Sequence, residues 1–311
     1  MVIIRKEYSF PSKSGVADVF ARCWMPENGA RAVIQIAHGM AEHGERYEDF
    51  ANFLCSKGFA VLINDHAGHC KSVKNDDDLG YFGENGGWDS LVEDERTLTE
   101  MIKAEFTDLP VIFFGHSMGS FIAREYIRRY GKDERIAATV FCGTSGKNPA
   151  SAIAIHIADA VIKAKGSKHR SKLINALAFG PYNKKTENRT PFDWLSTDTA
   201  QVDKYIADKY CGFLFTAAGY KDLFTILTKV SEKNWYKEVC DEIPILLIAG
   251  KDDPVGTYGK GVKQVYNDLK QAGKKDVTLK LYHGMRHEIL NEVENKQVYE
   301  DVAAWALSKI K

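Results

Sequence analysis

The chain has 311 residues, 44% of them hydrophobic and 27% charged, a composition that excludes a disordered polymer and allows one large domain or two small ones. Lys plus Arg and Asp plus Glu both number 42, so the basic footprint that nucleic-acid binding needs is missing and nucleic acid is set aside as a partner. The apolar start, Met1 to Ile4, turns charged at Arg5, Lys6 and Glu7; that is too short for a signal peptide, and no run approaches the roughly 18 apolar residues of a membrane span.

The expectation is therefore a soluble, cytoplasmic protein. Cys23, Cys55, Cys70, Cys142, Cys211 and Cys240 are scattered without a C-x-x-C pair. This reads as reduced, mostly buried thiols rather than a zinc ribbon or a redox motif.

Two strand-like runs, residues 5–10 and 16–24, flank the turn-rich Pro11-Ser12-Lys13-Ser14-Gly15 and predict an antiparallel hairpin. Short apolar runs at 33–37, 59–63, 111–114, 137–142 and 245–249 then read as strands buried on both faces. Helical spacing at 47–57, 88–106 and 121–130 supplies the crossovers that parallel strands require. Between residues 142 and 245 lie about a hundred residues, far beyond an ordinary crossover. They carry helical patterns at 152–165, 172–179, 199–209 and 221–231, which predict an inserted helical cap. A helix at 258–272, a strand at 277–282 and a helix at 294–310 complete the alternation. The expected architecture is α/β: a mostly parallel, doubly wound sheet of about eight strands. Its core comprises residues 1–145 and 239–311, with the cap at 146–238.

The run Val111-Ile112-Phe113-Phe114 leads directly into Gly115-His116-Ser117-Met118-Gly119 and then a helical pattern, the strand–turn–helix context of a nucleophile elbow. A serine hydroxyl is a weak nucleophile, so Ser117 needs a base to take its proton and an acid to orient that base. The chain order Ser, Asp, His is met by Asp253, after the strand ending at residue 249, and by His287, after the strand at 277–282. Asp252 is the neighbouring alternative for the acid and His283 the alternative for the base. Ligands of open α/β sheets bind at the carboxyl ends of strands, where all these residues fall. An oxyanion would be met by the backbone N–H of Met118, at a helix start, and by that of Met40 in the loop His38-Gly39-Met40.

These residues, with Asp65-His66-Ala67-Gly68-His69-Cys70-Lys71-Ser72, His38 to His43 followed by Arg46-Tyr47, Asp253-Pro254-Val255-Gly256 and Arg286 to Glu292, closely resemble the monoacylglycerol lipase and lysophospholipase family of α/β-hydrolases. The resemblance spans residues 38 to 292 in the expected order. It implies the α/β-hydrolase fold, Ser117, Asp253 and His287 as triad, Met40 and Met118 as oxyanion hole, and a mobile lid over an acyl pocket. Cys70 departs from a Gly of that pattern, and Ser120 from a second Gly after the elbow.

The reaction expected is hydrolysis of a carboxylic ester carrying one acyl chain, a monoacylglycerol or lysophospholipid, with no metal and no organic cofactor. Aryl (feruloyl-type) esters, or N-terminal peptide bonds, are the alternatives on the same fold, and a non-catalytic lipid-binding protein is the distant one. His66, His69 and Cys70 lack a fourth partner for zinc and read as structural. Glu42, His43 and Arg46 read as lining or capping residues without a catalytic role. Ile153, Ile157 and Val161, and Phe213, Leu214 and Phe215, either pack the cap or line an acyl channel. Lys163, Lys165, Lys168, His169, Arg170 and Lys172, followed by Lys184, Lys185 and Arg189, form the densest positive charge. They are a solvated loop or a contact for anionic lipid.

Overall fold

Residues 2–133 and 135–310 are described by the structure, a computed structural model of the protein. Strands β1 (Ile3–Pro11) and β2 (Asp18–Pro26) pair antiparallel, with Ile3 opposite Pro26 and Pro11 opposite Asp18. They are followed by β3 (Ala32–Ala37), β4 (Phe59–Asn64), β5 (Val111–His116), β6 (Ile136–Cys142), β7 (Ile245–Gly250) and β8 (Val277–Tyr282). The spatial order is β1-β2-β4-β3-β5-β6-β7-β8. The β2–β4 pair is antiparallel and every later pair parallel. Strands β3, β4, β5 and β7 are buried at every residue, which explains their near-continuous apolar runs. The edge strand β1 instead exposes Arg5, Lys6 and Glu7, charges that discourage pairing with another chain.

The helices are α1 (Glu48–Ser56), α2 (Gly87–Glu105), α3 (Met118–Tyr130), α4 (Ala150–Lys165), α5 (Lys172–Phe179), α6 (Thr199–Ala207), α7 (Ala217–Lys229), α8 (Lys233–Glu238), α9 (Lys260–Gln271) and α10 (Asn295–Leu307). Strand residues alternate between two cores. Ile34, Ile36, Ile112 and Phe114 pack with Phe50 and Leu54 of α1 and Val298 and Val302 of α10. Val33, Val111 and Phe113 pack with Leu98 of α2, Ile122 of α3 and Val265 of α9. This two-sided covering is the doubly wound arrangement that the alternation of strand and helix patterns predicts.

Helices α4 to α8 occupy the long connection between β6 and β7. Leu223, Phe224, Ile226 and Leu227 of α7 and Trp235 of α8 belong to the same core as α2 and α3, joined by Ala158 of α4 and Ile174 of α5, so the insertion is anchored to the sheet domain most extensively through α7 and α8. A small separate cluster holds Leu195, Tyr205 and Cys211 with Phe192 and Trp194.

Most boundaries shift by one to three residues from the sequence reading, and two helix starts shift for a plain physical reason. Helix α7 begins four residues before residue 221, because the Thr216 side chain accepts from the Gly219 N–H and caps the helix. Helix α9 starts at Lys260 rather than 258, because Thr257, Tyr258 and Gly259 all have positive φ, at 52°, 54° and 79°, which no right-handed helix contains. Among the described residues no helix is long and apolar enough to cross a membrane. Cys23, Cys55, Cys70, Cys142 and Cys211 are buried.

Candidate active site

Strand β5 ends at His116 and α3 starts at Met118, so Ser117 alone makes the turn, at φ 53° and ψ −119°. This is a strained conformation for a residue with a side chain. A Cβ on Gly115 would stand 2.2 Å from the Gly119 carbonyl oxygen, and one on Gly119 would stand 2.0 Å from that of Ala37. Glycine is therefore required on both sides of the serine. The turn is fixed by the Ser117 N–H donating to the Cys142 carbonyl at 2.9 Å and by the Ser120 hydroxyl donating to the Ser117 carbonyl at 2.6 Å. Ser120 thus adds a bond to the elbow that glycine could not make.

At the end of β7, Asp253 is wholly buried, while Asp252 is exposed and its N–H donates to the Met285 carbonyl at 3.0 Å. His287 Nδ1 stands 3.0 Å from Asp253 Oδ2. The ring is not turned to point its N–H along that line, a resting alignment of the sort that tightens when substrate is bound. Asp253 Oδ1 accepts from the Val255 N–H at 2.8 Å, which orients the carboxylate. His283 is exposed beside Lys251. The fold therefore brings Ser117, Asp253 and His287 to one end of the sheet and leaves Asp252 and His283 at the surface.

The loop after β3 is held at nearly every polar atom around Met40. The Gly39 N–H donates to Glu42 Oε1 at 2.6 Å and the Ala41 N–H to His69 Nε2 at 3.4 Å. The Ala41 carbonyl accepts from the Tyr205 hydroxyl at 2.9 Å and the Gly212 N–H at 3.0 Å. The His38 carbonyl lies 3.1 Å from His66 Nε2, and His38 Nε2 accepts from the His66 N–H at 3.0 Å. Burial lowers the pKa of His66 to about 4 and that of His69 to about 3, so both are neutral at pH 7 and serve as fixed hydrogen-bond partners of the loop. Cys70, with φ 41°, takes the left-handed conformation in which the family pattern places glycine.

Among the described residues two groups could gather ligand atoms: His43 with Asp65 and Cys70, and His43 with Asp208 and Cys211, each within 4.8 Å. In the first, Arg22 Nη1 already sits 2.9 Å from Asp65, a cation where a metal would be. In the second, His43 Nε2 is bonded to Asp208 at 2.8 Å, tying the insertion to the loop after β3.

Ser117, His287, Met40 and Met118 face one cavity of about 970 Å³, at the large end of ligand pockets. Its walls come largely from the insertion, including Ile153, Ile157, Leu177, Phe213 and Leu214. Of the two apolar stripes in the sequence, Val161 packs half-buried against the core and Phe215 is fully buried within it. Periodicity alone could not separate these roles, because wall and core residues share the same spacing.

Sequence reasoning missed three features of the site. Glu42 and Glu288 are buried and joined through Arg46, with Arg46 Nη1 2.6 Å from Glu42 Oε2 and Arg46 Nη2 2.6 Å from Glu288 Oε2. The His116 ring lies 4.9 Å from the His287 ring, tilted by 40°. The Trp194 ring lies 5.2 Å from the same imidazole, and the Leu195 carbonyl accepts from the Glu288 N–H at 2.7 Å. The only signal in the sequence was three charged residues, Glu42, Arg46 and Glu288, each within a few positions of a candidate site residue.

The family described as serine aminopeptidase, S33, matches residues 28–294. A monoacylglycerol lipase of Mycolicibacterium smegmatis is 29% identical, covering 98% of each chain. The human monoglyceride lipase is 28% identical over 92% of this chain and 86% of its own. A thermostable carboxyl esterase from Bacillus coagulans, solved in complex with glycerol, superposes with a TM-score of 0.92 at 32% identity, covering both chains completely.

Proposed function

We propose, because this chain belongs to the serine aminopeptidase S33 family of hydrolases, that it cleaves glycerol-type esters of a single acyl chain through an acyl-enzyme on Ser117. It is an α/β-hydrolase of the lipase and esterase type. The observation that carries the substrate class is the large cavity beside Ser117, walled by apolar residues of the insertion. Relatives with full-length similarity are monoacylglycerol lipases, which supports the same reading.

In this mechanism His287 takes the Ser117 proton as Oγ attacks the ester carbonyl carbon. The oxyanion that forms accepts hydrogen bonds from the N–H groups of Met40 and Met118. Met118 opens α3, so its N–H has no partner within the helix and the helix dipole adds to the stabilisation. His287 then donates its proton to the leaving alkoxide. Water, deprotonated by the same imidazole, attacks the acyl carbon, the bond to Ser117 Oγ breaks, and the imidazolium returns the proton to Oγ as the carboxylic acid leaves. Asp253 holds the imidazole in the working tautomer throughout, and no step requires a metal or an organic cofactor. An aminopeptidase would need an unpaired carboxylate to receive the substrate ammonium. The carboxylates facing this cavity, Glu42 and Glu288, are instead both engaged by Arg46, which favours esters.

Residues 146–238 are the cap in this reading, with α7 and α8 as its anchor to the sheet domain, α6 tied to the loop after β3 through Tyr205, and α4 and α5 as the part able to move. The buried thiols suit a reducing compartment, and a cytoplasmic location belongs to the proposal. A profile over p-nitrophenyl esters and monoacylglycerols of increasing chain length tests the substrate class. Rising kcat/KM up to medium or long chains is expected; a preference for acetate, or for feruloyl esters, would reassign the substrate.

The cap also offers a surface for anionic lipid. Ile153, Leu173 and Leu177 are 64%, 61% and 59% exposed, and Ile153 and Leu177 rim the cavity. Lys163, Lys165 and Lys172 on the same helices are exposed, whereas Lys168 is paired with Asp78 and Arg170 donates to the Leu214 and Asp77 carbonyls. Replacing Lys163, Lys165 and Lys172 with Glu is expected to weaken partitioning onto anionic vesicles about tenfold or more at low salt, with the difference fading as salt rises. Hydrolysis of a short soluble ester should stay near wild type. Equal vesicle binding by both proteins would make the basic segment a solvated loop.

A further inference from the structure

We infer, resting on the roles proposed for Ser117, His287 and the Met40 and Met118 amides, that Glu42, Arg46 and Glu288 form one positioning unit locking the oxyanion-binding loop to the His287 loop. Its members act through those two loops and take no part in bond making.

The geometry supports a device rather than an incidental ion pair. Glu42 Oε1 accepts from the Gly39 N–H at 2.6 Å, the Tyr47 hydroxyl at 2.9 Å and His116 Nδ1 at 3.2 Å, while Oε2 faces Arg46 Nη1 at 2.6 Å. One carboxylate therefore grips the residue before Met40 and the residue before Ser117 together. Glycine at 39 is needed for that grip, because a Cβ there would stand 2.6 Å from Glu42 Oε1 and 3.1 Å from the Ser117 Cβ. Arg46 continues the link, meeting Glu288 Oε1 at 2.7 Å and Oε2 at 2.6 Å as a two-pronged pair. Glu288 directly follows His287. The Arg46 guanidinium also lies 4.8 Å over the ring of Tyr205, whose hydroxyl holds the Ala41 carbonyl after Met40. Met40 is thus fixed from both sides, and the base is fixed to the same frame.

Burial alone would raise the pKa of Glu42, but Arg46 and His116 outweigh it and hold the carboxyl well below its usual range. Burial likewise opposes ionisation of Glu288, and Arg46 reverses the shift. The unit is charged at neutral pH. A desolvated charge cluster is a poor way to gain stability, since apolar residues of similar volume generally serve as well or better. It does specify one geometry. Catalysis needs that geometry, because preorganised donors lose their advantage when they shift by about an ångström.

The test uses the whole protein and a short soluble ester, with Glu42→Gln, Glu42→Leu, Arg46→Met and Arg46→Lys measured beside Ser117→Ala. For Glu42→Leu and Arg46→Met, kcat is expected to fall about 10- to 100-fold with KM changed by less than about threefold. Glu42→Gln, which keeps an acceptor for Gly39, and Arg46→Lys, which keeps the charge, should lose less. Affinity for a trifluoromethyl ketone, whose adduct carries the oxyanion, should fall in step with kcat/KM, while that of a ground-state amide analogue should not. Adding Glu42→Gln to Arg46→Met should cost little beyond Arg46→Met alone, because both cut the same link.

Wild-type kcat in Glu42→Gln and Arg46→Met would overturn the inference. So would a fall in Tm without change in kcat or ketone affinity below the transition, since that is the signature of a merely structural pair. Should the Leu or Met variants fail to fold, Glu42→Gln and Arg46→Lys decide by the same two readouts. Activity retained in Ser117→Ala would instead remove the site assignment underneath, a result distinguishable from failure of the positioning unit.

Discussion

Ser117→Ala is expected to lower kcat/KM for ester hydrolysis by about 10⁴-fold or more while leaving a folded protein with a Tm near wild type. The elbow is held by backbone and neighbouring groups: the Ser117 N–H bond to Cys142, the Ser120 bond to the Ser117 carbonyl, and the glycine contacts of Gly115 and Gly119. None of these uses the Ser117 hydroxyl, so removing it subtracts the nucleophile and little else. Kinetics with a chromogenic ester and a thermal melt on the same preparation check both halves. Activity near wild type would move the nucleophile elsewhere.

Asp253→Asn is expected to cost about 10⁴-fold in kcat, because an amide facing His287 Nδ1 favours the wrong tautomer of the base. Asp252→Asn should stay within about twofold. The two residues are adjacent and chemically identical, yet Asp253 is wholly buried at 3.0 Å from the imidazole, whereas Asp252 is exposed. Equal losses, or the reverse order, would show that the loop after β7 presents the other carboxylate during turnover.

The contrast between these neighbours shows what the sequence could and could not convey. The elbow was legible because its chemistry is local: strand, turn and helix follow one another, and only glycine fits beside the serine. The parallel strands were legible along the chain as apolar runs buried on both faces, whereas their order in the sheet came only with the structure. Asp253 and His287 were legible as the favoured candidates from chain order and strand ends, with Asp252 and His283 as the alternatives, but the approach that separates them is tertiary. The ion network was illegible for a different reason. Glu42 and Arg46 look like surface charges at a helix start, and Glu288 lies some 240 positions away from them; nothing local shows that all three are buried together. The cap stripes failed likewise, since Phe213 and Phe215 are two residues apart and one lines the cavity while the other fills the core.

The ester-hydrolase account rests most directly on one covalent event. Reaction with a fluorophosphonate probe, followed by intact-mass and peptide mass spectrometry, should give a single adduct on Ser117, prevented by Ser117→Ala and slowed strongly by Asp253→Asn. An adduct on another residue, or full ester hydrolysis by protein whose Ser117 is quantitatively blocked, would contradict it.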